Sequence, residues 1–270
     1  MKLGLSSYAL PWTLVDSARR VSAAERAGSL VKRAAELGLH VVQIADNLPL
    51  EALPRQERLA LRGLAQSLGV EIEVGGRGLT PEGAAASLQL ARDLGSRILR
   101  FVADRDSYRP AVPELALVIR RLLPDLEAAG VTLALENHDR FRCRDLADLV
   151  SSFGSPHVGI CLDTVNSLGA QEGPDVVVEI LGPLAANLHL KDFRIFRPAH
   201  QMGFIVEGTP AGQGALPIPV LLARIREHGR DPNALLELWV PPEQSPRETL
   251  RKEQRWLEQS VSYLRTLIAD

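Results

Sequence analysis

Cysteine is nearly absent: Cys143 and Cys161 are the only two in 270 residues. They form no close-spaced pair, which excludes a zinc ribbon, and a chain this long needs no disulfide staple. Reduced thiols in the cytoplasm are therefore expected. An excess of positive charge is also missing. The formal net charge is -2 and the pI about 6.3, without the basic footprint that nucleic-acid binding leaves. No apolar run approaches the roughly 20 residues that span a bilayer. Pro11 and Asp16 cut short the apolar start, so Met1–Leu10 reads as a first strand rather than a secretion signal. No Gly-x-Gly-x-x-Gly follows that strand. Gly75-Gly76-Arg77-Gly78 has neither the position nor the spacing of a dinucleotide site.

What is present is a composition of 46% apolar and 24% charged residues, which suits a folded chain and excludes disorder. One joint recurs: an amphipathic helix ends at Gly and a short apolar strand begins. Gly38 precedes His40–Ile44, Gly69 precedes Val70–Val74, and Gly95 precedes Arg97–Val102. Gly130 precedes Val131–Glu136, and Gly154 precedes Val158–Asp163. Glycine just past a helix supplies the left-handed residue that stops it. Strands are expected near 2–7, 40–45, 70–75, 97–103, 131–136, 157–163, 186–191 and 234–239, with helices between them. Strand–helix alternation demands parallel strands and right-handed crossovers, and eight units favour closure. The expected fold is an α/β single-domain (β/α)8 TIM barrel over residues 1–270. The irregular stretch Arg194–Leu216 interrupts the last unit as a candidate lid. Its tip is placed at His200–Phe204, with hinges at Gly208 and Gly212-Gln213-Gly214.

Four strands end in groups that are costly to bury unpartnered: Glu136, Asp163, His189 and Glu237. Each alone reads as an ordinary cap or ion-pair member. On consecutive strands of a barrel, all four converge at the C-terminal mouth, where such barrels carry out chemistry. Three crowded carboxylates call for a divalent cation, without which at least one would take up a proton. One imidazole, oxygen ligands and no thiolate suit Mn²⁺ best, with Mg²⁺ or Co²⁺ as alternatives.

Four segments, Ala134–His138, Gly159–Asn166, Asn187–Asp192 and Leu235–Glu237, give the chain a resemblance to the xylose-isomerase-like barrels. That superfamily includes sugar-phosphate isomerases and epimerases, ketose 3-epimerases and inosose dehydratases. The resemblance implies that Glu136, Asp163, His189 and Glu237 ligate one metal and that Glu136 and Glu237 also act as the acid/base pair. The implied activity is a metal-dependent isomerase or epimerase acting on a polyhydroxylated carbonyl compound through an enediolate. Ser6–Ala9, Gln43–Leu50, Gly208–Gly214 and Glu237–Trp239 are also similar to 3-oxo-isoapionate decarboxylases of the same superfamily. The alternative is thus a lyase, either a decarboxylase of a 3-oxo sugar acid or a dehydratase. A barrel that only binds is the third reading, against which the retained quartet argues.

Around the quartet, His138, Asn166, Lys191, Arg77 and Arg100 are candidates for substrate binding. Lys191 shares a strand face with His189, and an arginine can hold a carboxylate in two places. Tyr8 and Trp12 are candidates for an apolar wall, while Gln43, Asp46 and Asn47 lie at the end of the second strand. Asn166 stands where ketose 3-epimerases tend to carry histidine, so substrate contacts differ from theirs. The three-zinc endonuclease branch needs more strand-end histidines than this chain's six His supply. Expected partners are a small sugar or sugar-acid substrate, with no nucleic acid and no membrane; assembly into a homo-oligomer stays open.

Overall fold

The computed structural model describes residues 1–200 and 202–269. Barrel strands β1 (Leu3–Ser6), β2 (Val41–Ile44), β3 (Glu71–Arg77), β4 (Ile98–Val102), β5 (Thr132–Glu136), β6 (Val158–Asp163) and β7 (Ala185–Leu190) follow one another in parallel. Two further strands, β8 (Asp192–Phe196) and β9 (Ile205–Thr209), form an antiparallel pair outside the barrel. The last barrel strand, β10 (Asn233–Leu236), lies between β7 and β1 and closes the ring. The expected (β/α)8 barrel is what the chain forms.

Helices α1 (Pro11–Ser17), α2 (Ala23–Glu36), α3 (Arg55–Ser67), α4 (Pro81–Leu94) and α5 (Val112–Ala129) belong to the first half. Helices α6 (Cys143–Ser151), α7 (Pro174–Leu181), α8 (Ile218–Glu227) and α9 (Pro246–Leu264) complete the outer ring. Local chemistry sets their ends. Ser22 and Glu25 form a reciprocal cap at the start of α2, and Thr80 and Ser245 accept backbone N–H bonds at α4 and α9. The five joint glycines, 38, 69, 95, 130 and 154, all have φ between 58° and 72°, so each uses the left-handed region. Leucine, isoleucine and valine on the strands and inner helix faces form one continuous buried core. No described helix is long and apolar enough to cross a membrane.

The stretch 194–216 departs from expectation. Much of it is a β-hairpin, in which Asp192 pairs with Thr209 and Phe196 with Ile205. The expected hinges at Gly212 and Gly214 are anchors. Their N–H groups donate to Asp192 Oδ2 at 2.9 Å each, and Leu216 N donates to Oδ1 at 3.0 Å. A buried carboxylate that accepts several backbone donors fixes the hairpin root. Of the expected lid tip, Gln201 lies outside the described residues. Met202 and Phe204, by contrast, are 90% and 65% exposed.

Candidate metal centre

Parallel register brings the strand ends to one level. Asp163 is paired with His189 across β6 and β7, while Leu235 lies opposite His189 and carries Glu237 one residue beyond β10. His189 Nδ1 lies 3.5 Å from Glu136, 3.7 Å from Asp163 and 3.4 Å from Glu237. All four side chains are buried. The structure thus brings the predicted quartet together.

Each carboxylate is aimed by a separate device. Asp163 Oδ1 accepts from the backbone N–H groups of Val165 and Asn166 at 2.9 and 2.8 Å, which turns Oδ2 toward His189. Asn137 holds the Asp163 backbone from both sides, accepting its N–H at 2.7 Å and donating to its carbonyl at 2.9 Å. Glu237 Oε1 accepts from Ser6 Oγ at 2.8 Å. Glu136 accepts from Asn166 Nδ2 at 2.8 Å through Oε1 and from Arg100 through Oε2.

One buried and one half-buried cation offset two of the three carboxylate charges. Lys191 Nζ lies 2.8 Å from Asp163 and 2.9 Å from Glu237. Arg100, 2% exposed, joins Glu136 to Asp46. Burial works against the Lys191 charge, but Asp163 and Glu237 hold its ammonium well above the usual lysine range. Burial alone would raise the Glu237 carboxyl, yet His189 and Lys191 hold it down at about 2. Asp163 is likewise held below the ordinary carboxylate range, with Lys191 and His189 outweighing burial. For Asp163 and Glu237 these directions run against the expected proton uptake in the absence of the cation, because Lys191 already supplies a counter-charge to both.

The donor set fits a divalent ion. Ligand atoms of Asp163, His189 and Glu237 lie within 4.8 Å of one another. His189 Nδ1 and Asp163 Oδ2 are buried without an aligned hydrogen bond, although Lys191 makes an ion pair to the latter. Buried polar atoms normally find partners, and a cation would satisfy both. Cys161 forms a second compact group with Glu136 and His189, one layer deeper. Its thiol is buried, and burial followed by the neighbouring Glu136 holds it well above the usual range.

The centre opens to a cavity of about 350 Å³ lined by Tyr8, Val165, Asn166, Lys191, Val206 and Trp239, among others. A larger cavity, about 540 Å³, lies at the other end of the barrel, far from the strand-end ligands. Of the substrate-binding candidates, Asn166 and Lys191 line the mouth. Arg77 and Arg100 instead clasp Asp46, each at 3.2 Å, and His138 pairs with Asp139 at 3.1 Å. Tyr8 is on the wall, its hydroxyl donating to Asp46 at 3.0 Å, while the Trp12 indole donates to the Val240 carbonyl at 2.9 Å, away from the mouth. Asn47 Nδ2 donates to the Ser7 carbonyl at 3.1 Å. Ser6 and Glu73 carry no individual role in the sequence. Their one signal was a polar residue on an otherwise apolar strand or strand end.

Residues 31–260 match the family model described as a xylose isomerase-like TIM barrel. The chain belongs to that family. Along its whole length this xylose isomerase-like barrel is 35% identical to the 3-oxo-isoapionate decarboxylase of Pectobacterium atrosepticum, over 98% of the chain and 96% of the relative. Among solved structures it is similar to a D-psicose 3-epimerase from Clostridium cellulolyticum, with TM-score 0.75, 15% identity and 99% of each chain covered. A xylose isomerase-like TIM barrel protein from Mycobacterium smegmatis, solved in complex with magnesium, gives TM-score 0.71 at 14% identity, with 97% of each chain covered. At such identities the structures speak for the fold of this family member alone.

Proposed function

We propose that this barrel is a metal-dependent decarboxylase of a 3-oxo sugar acid. Near full-length similarity to a 3-oxo-isoapionate decarboxylase supports the decarboxylase part of the reading. The observation that carries it is the charge of the site. Glu136, Asp163 and Glu237 against Arg100 and Lys191 leave one net negative charge, with Asp46 and Arg77 cancelling each other. Adding a divalent ion makes the site net positive by one, so it favours a substrate with a single negative charge.

Glu136, Asp163, His189 and Glu237 would hold the ion, taken here as Mn²⁺, with Mg²⁺ or Co²⁺ as alternatives. The ion supplies Lewis acidity toward a carbonyl and its neighbouring hydroxyl oxygen. In a 3-oxo acid that carries a hydroxyl on C2, the electrons of the C–CO₂⁻ bond move toward the C3 carbonyl, releasing carbon dioxide and leaving an enediolate. Val206 and Trp239, each partly exposed, supply apolar surface to the cavity in which the substrate sits. Lys191 and Asn166, on the polar side, stabilise the charge that develops on oxygen. Glu136 and Glu237 flank the same point, and one of them passes a solvent proton to the carbon that carbon dioxide has left.

The same enediolate would serve a sugar isomerase or epimerase, and the two glutamates at similar distances from His189 Nδ1 keep that second reading in play. Incubation of the Mn²⁺-loaded protein with 3-oxo sugar acids labelled with ¹³C at the carboxylate tests both. Labelled carbon dioxide is expected. Deuterium wash-in to neutral ketoses without carbon dioxide release from any acid would replace the decarboxylase by an epimerase.

A further inference from the structure

We infer that Glu73, remote from the mouth, decides which ring nitrogen of His189 is available to a cation, acting through Gln43. The inference rests on the metal-centre reading above. Glu73 lies on β3, buried, and touches none of the four ligands. Its Oε2 accepts from Gln43 Nε2 at 3.2 Å and Asn187 Nδ2 at 2.7 Å, and its Oε1 accepts from Asn233 Nδ2 at 2.9 Å. Four barrel strands, β2, β3, β7 and β10, thus meet on one carboxylate.

Burial raises the Glu73 carboxyl, but the amides of Asn233, Gln43 and Asn187 pull the other way, each turning its NH₂ group toward an oxygen of Glu73 that accepts. Gln43 Nε2 is further engaged by Asn187 Oδ1 at 3.0 Å. Its carbonyl is then the end that faces His189, 2.8 Å from Nε2. A carbonyl cannot donate, so Nε2 carries the hydrogen. A neutral imidazole has one N–H, which leaves Nδ1 as a lone pair at the point where the carboxylates of Glu136, Asp163 and Glu237 converge. The two ends of the Gln43 amide have nearly the same size, so packing does not choose between them. If Gln43 were turned over, its NH₂ would face Nε2, the hydrogen would move to Nδ1, and the ligand would be lost. Glu73 prevents this through one intermediate more than the usual carboxylate–histidine–metal arrangement. It is a positioning residue, since it contacts neither substrate nor cation.

The test compares wild type, E73L, E73Q, Q43L, E73L/Q43L and H189A by calorimetric titration with Mn²⁺, together with ¹⁵N spectra of the zinc-loaded wild type. The relay predicts a hydrogen on His189 Nε2 and none on Nδ1 in the spectrum. It predicts about 10–100-fold weaker Mn²⁺ binding in E73L. The E73Q side chain keeps a carbonyl toward Gln43 and Asn187, and half-buried Asn233 can turn over to meet its NH₂, so affinity should stay close to wild type. The double variant should bind no more weakly than Q43L, because Glu73 acts only through Gln43. Wild-type affinity in E73L beside lost binding in H189A would overturn the relay while leaving the metal centre standing. Wild-type affinity in H189A would instead remove the metal centre and the relay with it. Should E73L fail to fold, the wild-type spectrum and E73Q still decide: a hydrogen on Nδ1, or binding in E73Q as weak as in Q43L, refutes the inference.

Discussion

Replacing Lys191 by methionine separates the internal counter-charge from the metal it anticipates. Lys191 Nζ pairs with both Asp163 and Glu237, which are 0% and 2% exposed at their side chains. Methionine fills much of the same volume and removes the charge. In chelator the cation left at this site is Arg100, which is paired with Glu136 rather than with those two. Leaving a buried ion pair without one partner costs about 3–5 kcal/mol. At about 2–4 °C per kcal/mol for a chain of this size, Tm should fall by about 6–20 °C. With Mn²⁺ present, the cation replaces the lost positive charge, so the deficit should shrink and the metal-induced gain in Tm should exceed that of wild type. Differential scanning calorimetry of both proteins, in chelator and over a range of Mn²⁺, provides the comparison. An identical deficit in chelator and in saturating Mn²⁺ would show that Lys191 supports the fold by some other route and that the charge count behind the proposed substrate is wrong.

Of Glu136→Gln and Glu237→Gln, the variant that removes the carboxylate passing the proton should lower kcat, measured as carbon dioxide release, by about 10²–10⁴-fold with little change in KM. In chelator, Glu237 stabilises the fold because its carboxyl is lowered from the ordinary 4.5 to about 2. That contribution is complete above the ordinary value and disappears as pH falls toward about 2, so E237Q should flatten the acid limb of a Tm-versus-pH curve. A Cβ at Gly214 would overlap Asp192 Oδ1 and the Phe193 carbonyl, so G214A should cost about 1–3 kcal/mol in urea unfolding.

The strands, the glycine joints and the four converging strand-end side chains were legible because they are local: each is a short run with its own period or terminus. Arg100 was not. As a single arginine on a strand it reads as a rim charge, and only the register that sets it opposite Ala134 turns it inward beneath Glu136. Ser6 and Glu237 are separated by 231 positions, and Glu73 and Asn233 by 160, so their contacts exist only once the barrel closes. The hairpin escaped notice for a different reason. Its strands carry Arg194 and Glu207, which pair across the ladder, and both faces are partly exposed, so the alternation that marks a half-buried strand is blurred.

Asp192 directly follows Lys191 in the chain, and its carboxylate ties down the backbone at 212, 214 and 216. The segment leaving the ligand-bearing strand and the segment returning toward α8 are thereby stapled at a single point, with the hairpin projecting beyond it. Residues farther out along the hairpin do not make these three hydrogen bonds, which hold the backbone just after Lys191. The outer part of the hairpin is an exchangeable cassette: insertions and replacements between β8 and β9 can reshape the rim above Val206 while the chemistry below keeps its geometry.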